Sequence, residues 1–176
     1  MVKQGDIANM LIKPVDMINY FIVEDASLVI KGIINLGFGL ILGTILAGPI
    51  QITFENIILM LIASVIGIFI GVLIQILIGI FSFFTEENSS MYLLIQKFCL
   101  LVVFTPLEFY PEIVQKIFLF LPTTYHVYAP AKIFTNASSE EAIKLLGLEI
   151  LSAVVLYIII RLLYKKGVEK INVNGG

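Results

Sequence analysis

The sequence has few of the residues from which enzymes build active sites. It contains one cysteine, Cys99, one histidine, His126, and no tryptophan, and only 14% of its 176 residues are charged. A lone cysteine cannot form a disulfide within the chain, and one cysteine with one histidine cannot complete a typical zinc site. Covalent catalysis needs a nucleophile beside a base, which this sequence does not suggest. We therefore predict that the chain is not an enzyme and has no metal or cofactor of its own.

An excess of positive charge is also lacking. The 11 basic and 13 acidic residues leave a formal net charge of −2. The basic residues are scattered along the chain, so they form no stripe that could neutralise the phosphates of a nucleic acid. The GxxxxGK[ST] loop that holds nucleotide phosphates is missing as well. Nucleic-acid binding is therefore not expected, and any work driven by ATP requires a separate ATPase chain.

Apolar residues are what the sequence has in excess. Hydrophobic residues make up 59% of the chain, and the mean hydropathy is +1.03, which is far above the range of soluble proteins. An apolar run of about 20 residues can cross a bilayer as a helix. We predict an all-α, polytopic integral membrane protein with about four transmembrane helices, at residues 28–48, 57–84, 90–107 and 142–164.

The N-terminal residues 1–27 are predicted to be an amphipathic segment at a membrane interface. Apolar residues recur there at helical spacing with polar residues between them. Pro14 interrupts the backbone hydrogen bonding, so one short helix is predicted to end near Lys13 and a second to start at Pro14. A segment of this kind directly before a spanning helix can transmit force from a partner protein, and it can equally well anchor the chain to the lipid surface.

Residues 108–134 are the most irregular part of the sequence. Prolines divide them, and the helical piece at 112–121 is too short to span a membrane, so we predict a re-entrant or interfacial element. Four crossings put both termini on one face. The termini and residues 165–176, a polar tail, are predicted to be cytoplasmic in the plasma membrane by the positive-inside rule. Seven basic residues lie on that side (Lys3, Lys13, Lys31, Arg161, Lys165, Lys166, Lys170) and three on the other (Lys116, Lys132, Lys144).

Polar residues in the predicted outer region have two interpretations each. Glu108 and Glu112 could bind a cation or a cationic substrate, although acidic residues next to a membrane surface are more often simply solvated. His126 lies between Tyr125 and Tyr128, a pattern typical of an aromatic belt that anchors the chain at headgroup level. Contact between His126 and a substrate is the alternative.

Small residues in the predicted spans suggest close helix packing. Gly39 and Gly43 form one small-xxx-small pair, and Gly67 and Gly71 form another. Gln75 is the one strongly polar side chain deep in the second span. It can bond to a neighbouring helix or line a substrate path, and the first interpretation is the more common one.

Several separate motifs occur in a characteristic order. The N-terminal segment has a G-x-hydrophobic … L-x-x-P pattern, the outer region a P-L-x-x-Y-P … L-P … P-A pattern, and the chain closes on a basic tail ending NGG. The residues are Gly5, Leu11 and Pro14; then Pro106, Leu107, Tyr110, Pro111, Leu121, Pro122, Pro130 and Ala131; then Asn174, Gly175 and Gly176. In order and spacing these motifs resemble the permease subunits of ABC-2-type exporters, over essentially the whole chain.

This resemblance implies partners and residue roles. The segment that would contact the ATPase and couple its motion to the membrane contains Gly5, Asp6, Leu11, Lys13 and Pro14. The outer re-entrant region would contain Pro106, Glu108, Tyr110, Pro111, Glu112, Pro122, His126 and Pro130. The implied partners are an ABC ATPase subunit, which would bind ATP and Mg²⁺, a second permease subunit forming a homodimer or heterodimer, and the lipid bilayer.

Family members usually have six spanning helices, so the four predicted here would be the third to the sixth. The first two helices would then be missing, which a fragment, a split gene, a truncated product or a second chain could explain. Two other classes of protein stay open. One is a small substrate-capture subunit of a vitamin-type importer, and the other is an inactive or truncated membrane remnant. The resemblance does not identify the cargo.

Overall fold

The computed structural model describes residues 16–24, 26–48, 53–81, 84, 93–94, 97, 105–135 and 137–174. Within these residues every regular element is a helix, which confirms the predicted all-α fold. Six α-helices have described bounds: α1 (Met17–Glu24), α2 (Ala26–Ala47), α3 (Phe54–Phe81), α4 (Glu112–Phe120), α5 (Tyr125–Phe134) and α6 (Ser139–Asn174). Two 3₁₀ turns accompany them, at Leu107–Phe109 and Pro122–Thr124.

Two of these helices are long and apolar enough to cross a membrane. They are Phe54–Phe81 and the Ser139–Glu169 part of α6, with hydropathies of 3.1 and 2.3. The apolar part of α2, Ile30–Leu46, is shorter. These three helices overlap the predicted spans 57–84, 142–164 and 28–48 respectively. Most of the predicted span 90–107 lies outside the described residues.

Helix α6 begins as its sequence predicts and continues further than expected. The Ser138 hydroxyl accepts a hydrogen bond of 3.2 Å from the backbone N–H of Glu141. The acidic side chains of Glu140 and Glu141 lie in the first turn, where the helix dipole favours negative charge. The polar residues 165–174, predicted as a tail, are helical because no proline interrupts them and Lys, Glu and Val tolerate the helix.

Helix α3 forms the centre of the fold. Its N-terminal half contributes Met60 and Ala63 to one buried cluster, which also contains residues of α5 and α6, among them Ala142. Its C-terminal half, from Ile70 to Ile80, forms a second cluster with α1 and with later residues of α6, among them Ile160. Successive residues of α6 therefore follow successive residues of α3, so the two helices run in the same direction.

Helix α1 is capped by Asp16. The Asp16 carboxylate accepts hydrogen bonds of 3.1 Å from the backbone N–H groups of Ile18 and Asn19. The described helix starts at Met17 with Asp16 as its N-cap, and Pro14, where we predicted a helix start, lies outside the described residues. Ile18, which is 1% exposed, packs into the cluster at the C-terminal half of α3.

The same aspartate ties α1 to α6. Arg161 forms an ion pair with Asp16 and donates hydrogen bonds of 2.9 and 2.7 Å to the Tyr157 hydroxyl. Its guanidinium carbon also lies 5.2 Å from the centre of the Tyr157 ring. Burial alone would raise the pKa of Asp16, but hydrogen bonds from Arg161 and from the α1 backbone outweigh it and lower the pKa below 3.8.

Two substitutions of Asp16 separate its roles as cap and as ion-pair partner. Asp16→Asn keeps a capping side chain and removes the charge, so we expect a loss of unfolding free energy of at most about 1 kcal/mol for a half-exposed pair. Asp16→Ala removes both the cap and the charge, and we expect it to lose about 1 kcal/mol more unfolding free energy than Asp16→Asn. Thermal or denaturant unfolding in detergent micelles measures the difference. Equal losses in the two variants would contradict the capping role.

The lowered pKa of Asp16 also predicts an acid dependence. Ionised Asp16 stabilises the folded state fully at pH values above its ordinary pKa of 3.8. This stabilisation is lost as the pH falls through the pKa of Asp16 in the folded state, which is lower than 3.8. Asp16→Asn should therefore show a smaller loss of stability than the wild type in strong acid.

Candidate functional site

A cleft of about 640 Å³ lies between α2, α3 and α5. Most of its wall is apolar, with residues such as Met60, Ile68 and Phe134. Five polar or charged side chains interrupt this apolar wall: Lys31, Asn35, Ser64, Gln75 and His126. Polar groups at the level of spanning helices are costly unless they bind a partner or face a water-filled path. The cleft is therefore the candidate functional site.

Not all of these polar side chains are available to a ligand in the same way. The Ser64 hydroxyl donates a hydrogen bond of 2.8 Å to the carbonyl of Met60 on its own helix. Gln75 has an exposed side chain and lines the cleft, and this side chain forms no hydrogen bond with another described residue. This placement favours the substrate-path interpretation of Gln75 over an interhelical hydrogen bond.

Lys31 brings a positive charge to the middle of α3. The adjacent Gly32 approaches this helix so closely that a Cβ atom there would lie 2.6 Å from Cδ1 of Ile68. Ile68 is near the midpoint of α3. Lys31, whose side chain is exposed, therefore lines the cleft one residue before this contact.

Gly67 is a point of close contact between α3 and the α5 and α6 helices. A Cβ atom on Gly67 would lie 2.5 Å from the carbonyl oxygen of His126 and 3.2 Å from Oε1 of Glu149. Only glycine permits this approach of two backbones. For Gly39, Gly43 and Gly71, a Cβ atom would meet none of the described atoms within 4 Å. Close packing by these three glycines is therefore not found between the described helices.

Glu149 is a buried carboxyl group that the sequence analysis overlooked. Its side chain is 0% exposed, and neither carboxyl oxygen has a hydrogen-bond partner among the described residues. The available signal was an acidic residue inside the apolar run LGLEILSAVV of the last predicted span. An ionisable residue inside a membrane helix is expected to be functional.

The predicted outer region folds as a helical hairpin beside α3. The α5 helix starts next to Gly67 and ends near Met60, because Ile133 shares a buried cluster with Met60. Glu108, before the hairpin, forms a salt bridge of 2.6 Å with Lys132 near the end of α5. Both ends of the hairpin thus lie near the start of α3, while its tip reaches about 20 Å along α3 at about 1.5 Å per residue.

The salt bridge changes the interpretation of the two acidic residues. The hydrogen bond from Lys132 lowers the pKa of Glu108 below its ordinary value. Glu112 is exposed in the first turn of α4, where the helix dipole favours it. Because Glu108 has a lysine partner, the structure does not favour a cation site built from these two carboxylates.

The predicted prolines lie before, at the start of, or inside helical elements. Pro106 and Pro111 precede the first 3₁₀ turn and α4, and Pro122 is the first residue of the second 3₁₀ turn. Pro130 lies inside α5.

Tyr110 accepts a hydrogen bond of 2.8 Å from the Gln115 side chain at its backbone carbonyl, and its ring centre lies 5.4 Å from that of Phe118.

His126 lies inside the fold. Its imidazole Nδ1 hydrogen-bonds with the carbonyl of Thr123, and the residue lines the cleft. The neighbouring Tyr125 is 7% exposed and donates a hydrogen bond of 2.9 Å to the carbonyl of Leu119. This position is where a contact between His126 and a substrate would occur.

The coupling residues predicted from the family resemblance lie outside the described residues. They are Gly5, Asp6, Leu11, Lys13 and Pro14. The first described residue after them is Asp16, which connects this segment to α6 through Arg161.

The fold and the cleft together define an all-α integral membrane protein. Its apolar helices surround a cleft with polar side chains, as expected for a chain that handles a ligand within the bilayer. The model of a family described as ABC-2 family transporter protein matches residues 1–175. The chain belongs to this family, which confirms the predicted resemblance and makes it a membrane subunit of an ABC-type transporter, a permease. No curated protein and no solved structure matches the chain significantly.

Proposed function

We propose that this permease forms the translocation pathway of an ATP-driven exporter in the plasma membrane. The observation that carries the proposal is the cleft, where Lys31, Gln75 and His126 place polar groups between otherwise apolar helices. Polar and ionisable side chains in membrane helices usually face the bundle interior or a water-filled cavity, where a substrate can reach them. The family membership supports transport, and the polar cleft supplies a place for it.

The hairpin supports an outer re-entrant element. It begins and ends near the same end of α3, and its tip lies beside Gly67 at mid-length. Irregular backbone at membrane depth is tolerated where protein or a water-filled cavity surrounds it. Here α3 and α6 surround it, and the cleft lies beside it.

The helix directions support cytoplasmic termini and four spans. Helices α3 and α6 run in the same direction, so the chain returns to the first end of α3 before residue 105. The predicted span 90–107 would provide this return. With the positive-inside rule, the end of α6 and the N-terminus then lie in the cytoplasm.

A separate ABC ATPase is the proposed source of energy. It would bind ATP and Mg²⁺ itself and push on the N-terminal coupling segment, which continues into the α1 helix. A second permease subunit, identical or related, would complete the pathway. One face of α2 supports this, because it exposes large apolar side chains that lipid or a second subunit can cover: Ile33, Ile34, Phe38, Ile41, Leu42 and Ile45.

Substitutions in the coupling segment test this proposal. Leu11→Ala and Pro14→Ala should abolish the stimulation of ATP hydrolysis by the permease, because the ATPase then loses its contact with the membrane subunit. The measurement is ATPase activity of the chain and a P-loop ATPase encoded beside it, co-purified and reconstituted in liposomes. Ile113→Ala is the control, since Ile113 is 74% exposed on α4, outside the N-terminal segment.

Two results would contradict the assignment. Unchanged stimulation in both coupling variants would remove the role of the N-terminal segment. Tight binding of a small molecule by the isolated chain, without any effect on ATP hydrolysis, would favour a capture subunit of an importer.

A further inference from the structure

Glu149 is a buried ionisable residue whose charge no described residue balances. Its carboxyl group is 0% exposed and has no hydrogen-bond partner among the described residues. An isolated carboxylate in an apolar interior is strongly unfavourable, so the group requires a positive charge, either from a cation or from a proton. No described lysine or arginine forms a salt bridge with it, since the ion pairs found join Lys132 to Glu108 and Arg161 to Asp16.

A hydrogen-bond acceptor borders the same glycine as this carboxyl group. Four residues after His126 the helix α5 has Pro130, which carries no N–H, so the His126 carbonyl lacks its usual helical hydrogen bond. This carbonyl oxygen points at Gly67, where it lies 2.5 Å from the place of a Cβ atom. Oε1 of Glu149 lies 3.2 Å from the same place. Gly67 therefore brings an unpartnered carboxyl group and an under-satisfied carbonyl together.

We propose that Glu149 and the carbonyl of His126 form a proton-binding site inside the membrane-embedded part of the protein. The Glu149 carboxylate takes up one proton from water, becomes a neutral carboxylic acid, and donates its O–H to the carbonyl oxygen of His126. Release of the proton reverses the step, and no other bond changes. The site is independent of the cargo and of the ATPase, so it goes beyond the proposed transport function.

The donor set favours a proton over a metal ion. Calcium and magnesium ions require six or more oxygen ligands, and only the carboxyl group and one carbonyl converge here. The described residues also contain no group of three or more side chains suited to hold a metal ion. A proton needs one acceptor and one hydrogen-bond partner, which is what the site provides.

Apart from Tyr128, the other titratable groups of the neighbouring helices form hydrogen bonds or lie on the cleft side. Helix α3 carries none after Glu55. On α5 the imidazole of His126 bonds to Thr123, Tyr125 to Leu119, and Lys132 to Glu108, while Tyr128 is the fourth titratable residue of that helix. Lys31 of α2 faces the cleft. Among the titratable groups around Gly67, Glu149 is therefore the one whose protonation state is not determined by a bond to a described residue.

Gly67 also offers a route for the proton. It forms part of the cleft wall and at the same time touches Glu149 and His126. Because glycine has no side chain, its backbone is the barrier between the cleft and the carboxyl group at this point. A small separation of α5 from α3 would open the carboxyl group to the cleft, and the ionised form would favour that separation.

Infrared spectroscopy of the full-length chain in lipid discs tests the site. A protonated carboxyl group has its own C=O stretching band, which should disappear as the pH is raised. We expect Glu149→Gln to lose this band. The midpoint of thermal unfolding should fall with rising pH in the wild type, because the interior tolerates only the neutral form, and should not fall over that range in Glu149→Gln. Glu169→Gln is the matched control, an exposed carboxyl on the same helix that should leave band and pH profile unchanged.

A second variant examines the carbonyl of His126 without touching the carboxyl group. Pro130→Ala restores an N–H that bonds this carbonyl, so the Glu149 band should move to the frequency of a more weakly hydrogen-bonded acid. A band that is unaffected by both Glu149→Gln and Pro130→Ala overturns the proposal. Removal of the band by sodium or potassium ions at constant pH also overturns it, because the site would then bind an alkali cation.

Discussion

Gly67→Ala is expected to lower the free energy of unfolding by about 3 kcal/mol, at the upper end of the usual cost of overpacking. The new methyl group would lie 2.5 Å from the backbone carbonyl oxygen of His126, and a backbone atom cannot move aside as a flexible side chain can. Relief would require α5 to separate from α3. That movement would also weaken the buried cluster that joins α3, α5 and α6.

Gly71→Ala provides the matched control on the same helix, one turn further along. A Cβ atom there meets no described atom within 4 Å. Alanine also favours a helix interior over glycine by up to about 1 kcal/mol. We therefore expect Gly71→Ala to be neutral or slightly stabilising when both variants are unfolded by denaturant in detergent micelles. Equal stability of the two variants would show that α5 does not pack closely on α3 at Gly67.

Ile133→Ala should have a comparable effect through loss of packing. Ile133 is 0% exposed and lies in the cluster that holds α5 against α3 and α6. Truncation of a buried isoleucine to alanine leaves a cavity and commonly costs about 3 kcal/mol. We expect the loss in thermal unfolding experiments, together with faster proteolysis of the loop before α5.

The hairpin itself contains the control for this experiment. Ile117→Ala removes the same atoms from α4, where the side chain is 57% exposed and faces away from the protein. Its expected effect on stability in micelles is within about 0.5 kcal/mol. A loss in Ile117→Ala as large as in Ile133→Ala would mean that α4, and not α5, anchors the hairpin.

The helices that depend on long apolar runs could be predicted from the sequence. Runs at 28–48, 57–84 and 142–164 became α2, α3 and α6, because apolar length is a strong signal for membrane helices. The ends shifted by a few residues, except that α6 continues to Asn174. The short α4 was also predicted within 112–121. Its boundary prolines mark where a helix starts and where it cannot continue.

Other features depended on tertiary contacts that periodicity does not encode. Helix α5 contains Pro130, which argues against a helix locally, yet packing of Ala129 and Ile133 against α3 and α6 stabilises it. Among the predicted packing glycines, only Gly67 lies close to the backbone of another helix. This depends on where α5 packs against α3, which the spacing of glycines in the sequence does not show. Glu149 was visible in the sequence, but its importance depends on its burial beside Gly67.

Because α6 is continuous, the ion pair between Asp16 and Arg161 links the α1 helix mechanically to the region around Glu149. Arg161 and Glu149 lie on one uninterrupted helix, about 18 Å apart along its axis at about 1.5 Å per residue. A hydrogen-bonded helix resists compression, so a displacement along its axis at one of these points is transmitted to the other. A displacement of α1 along the axis of α6 would therefore be passed through this helix toward Glu149 and the Gly67 junction.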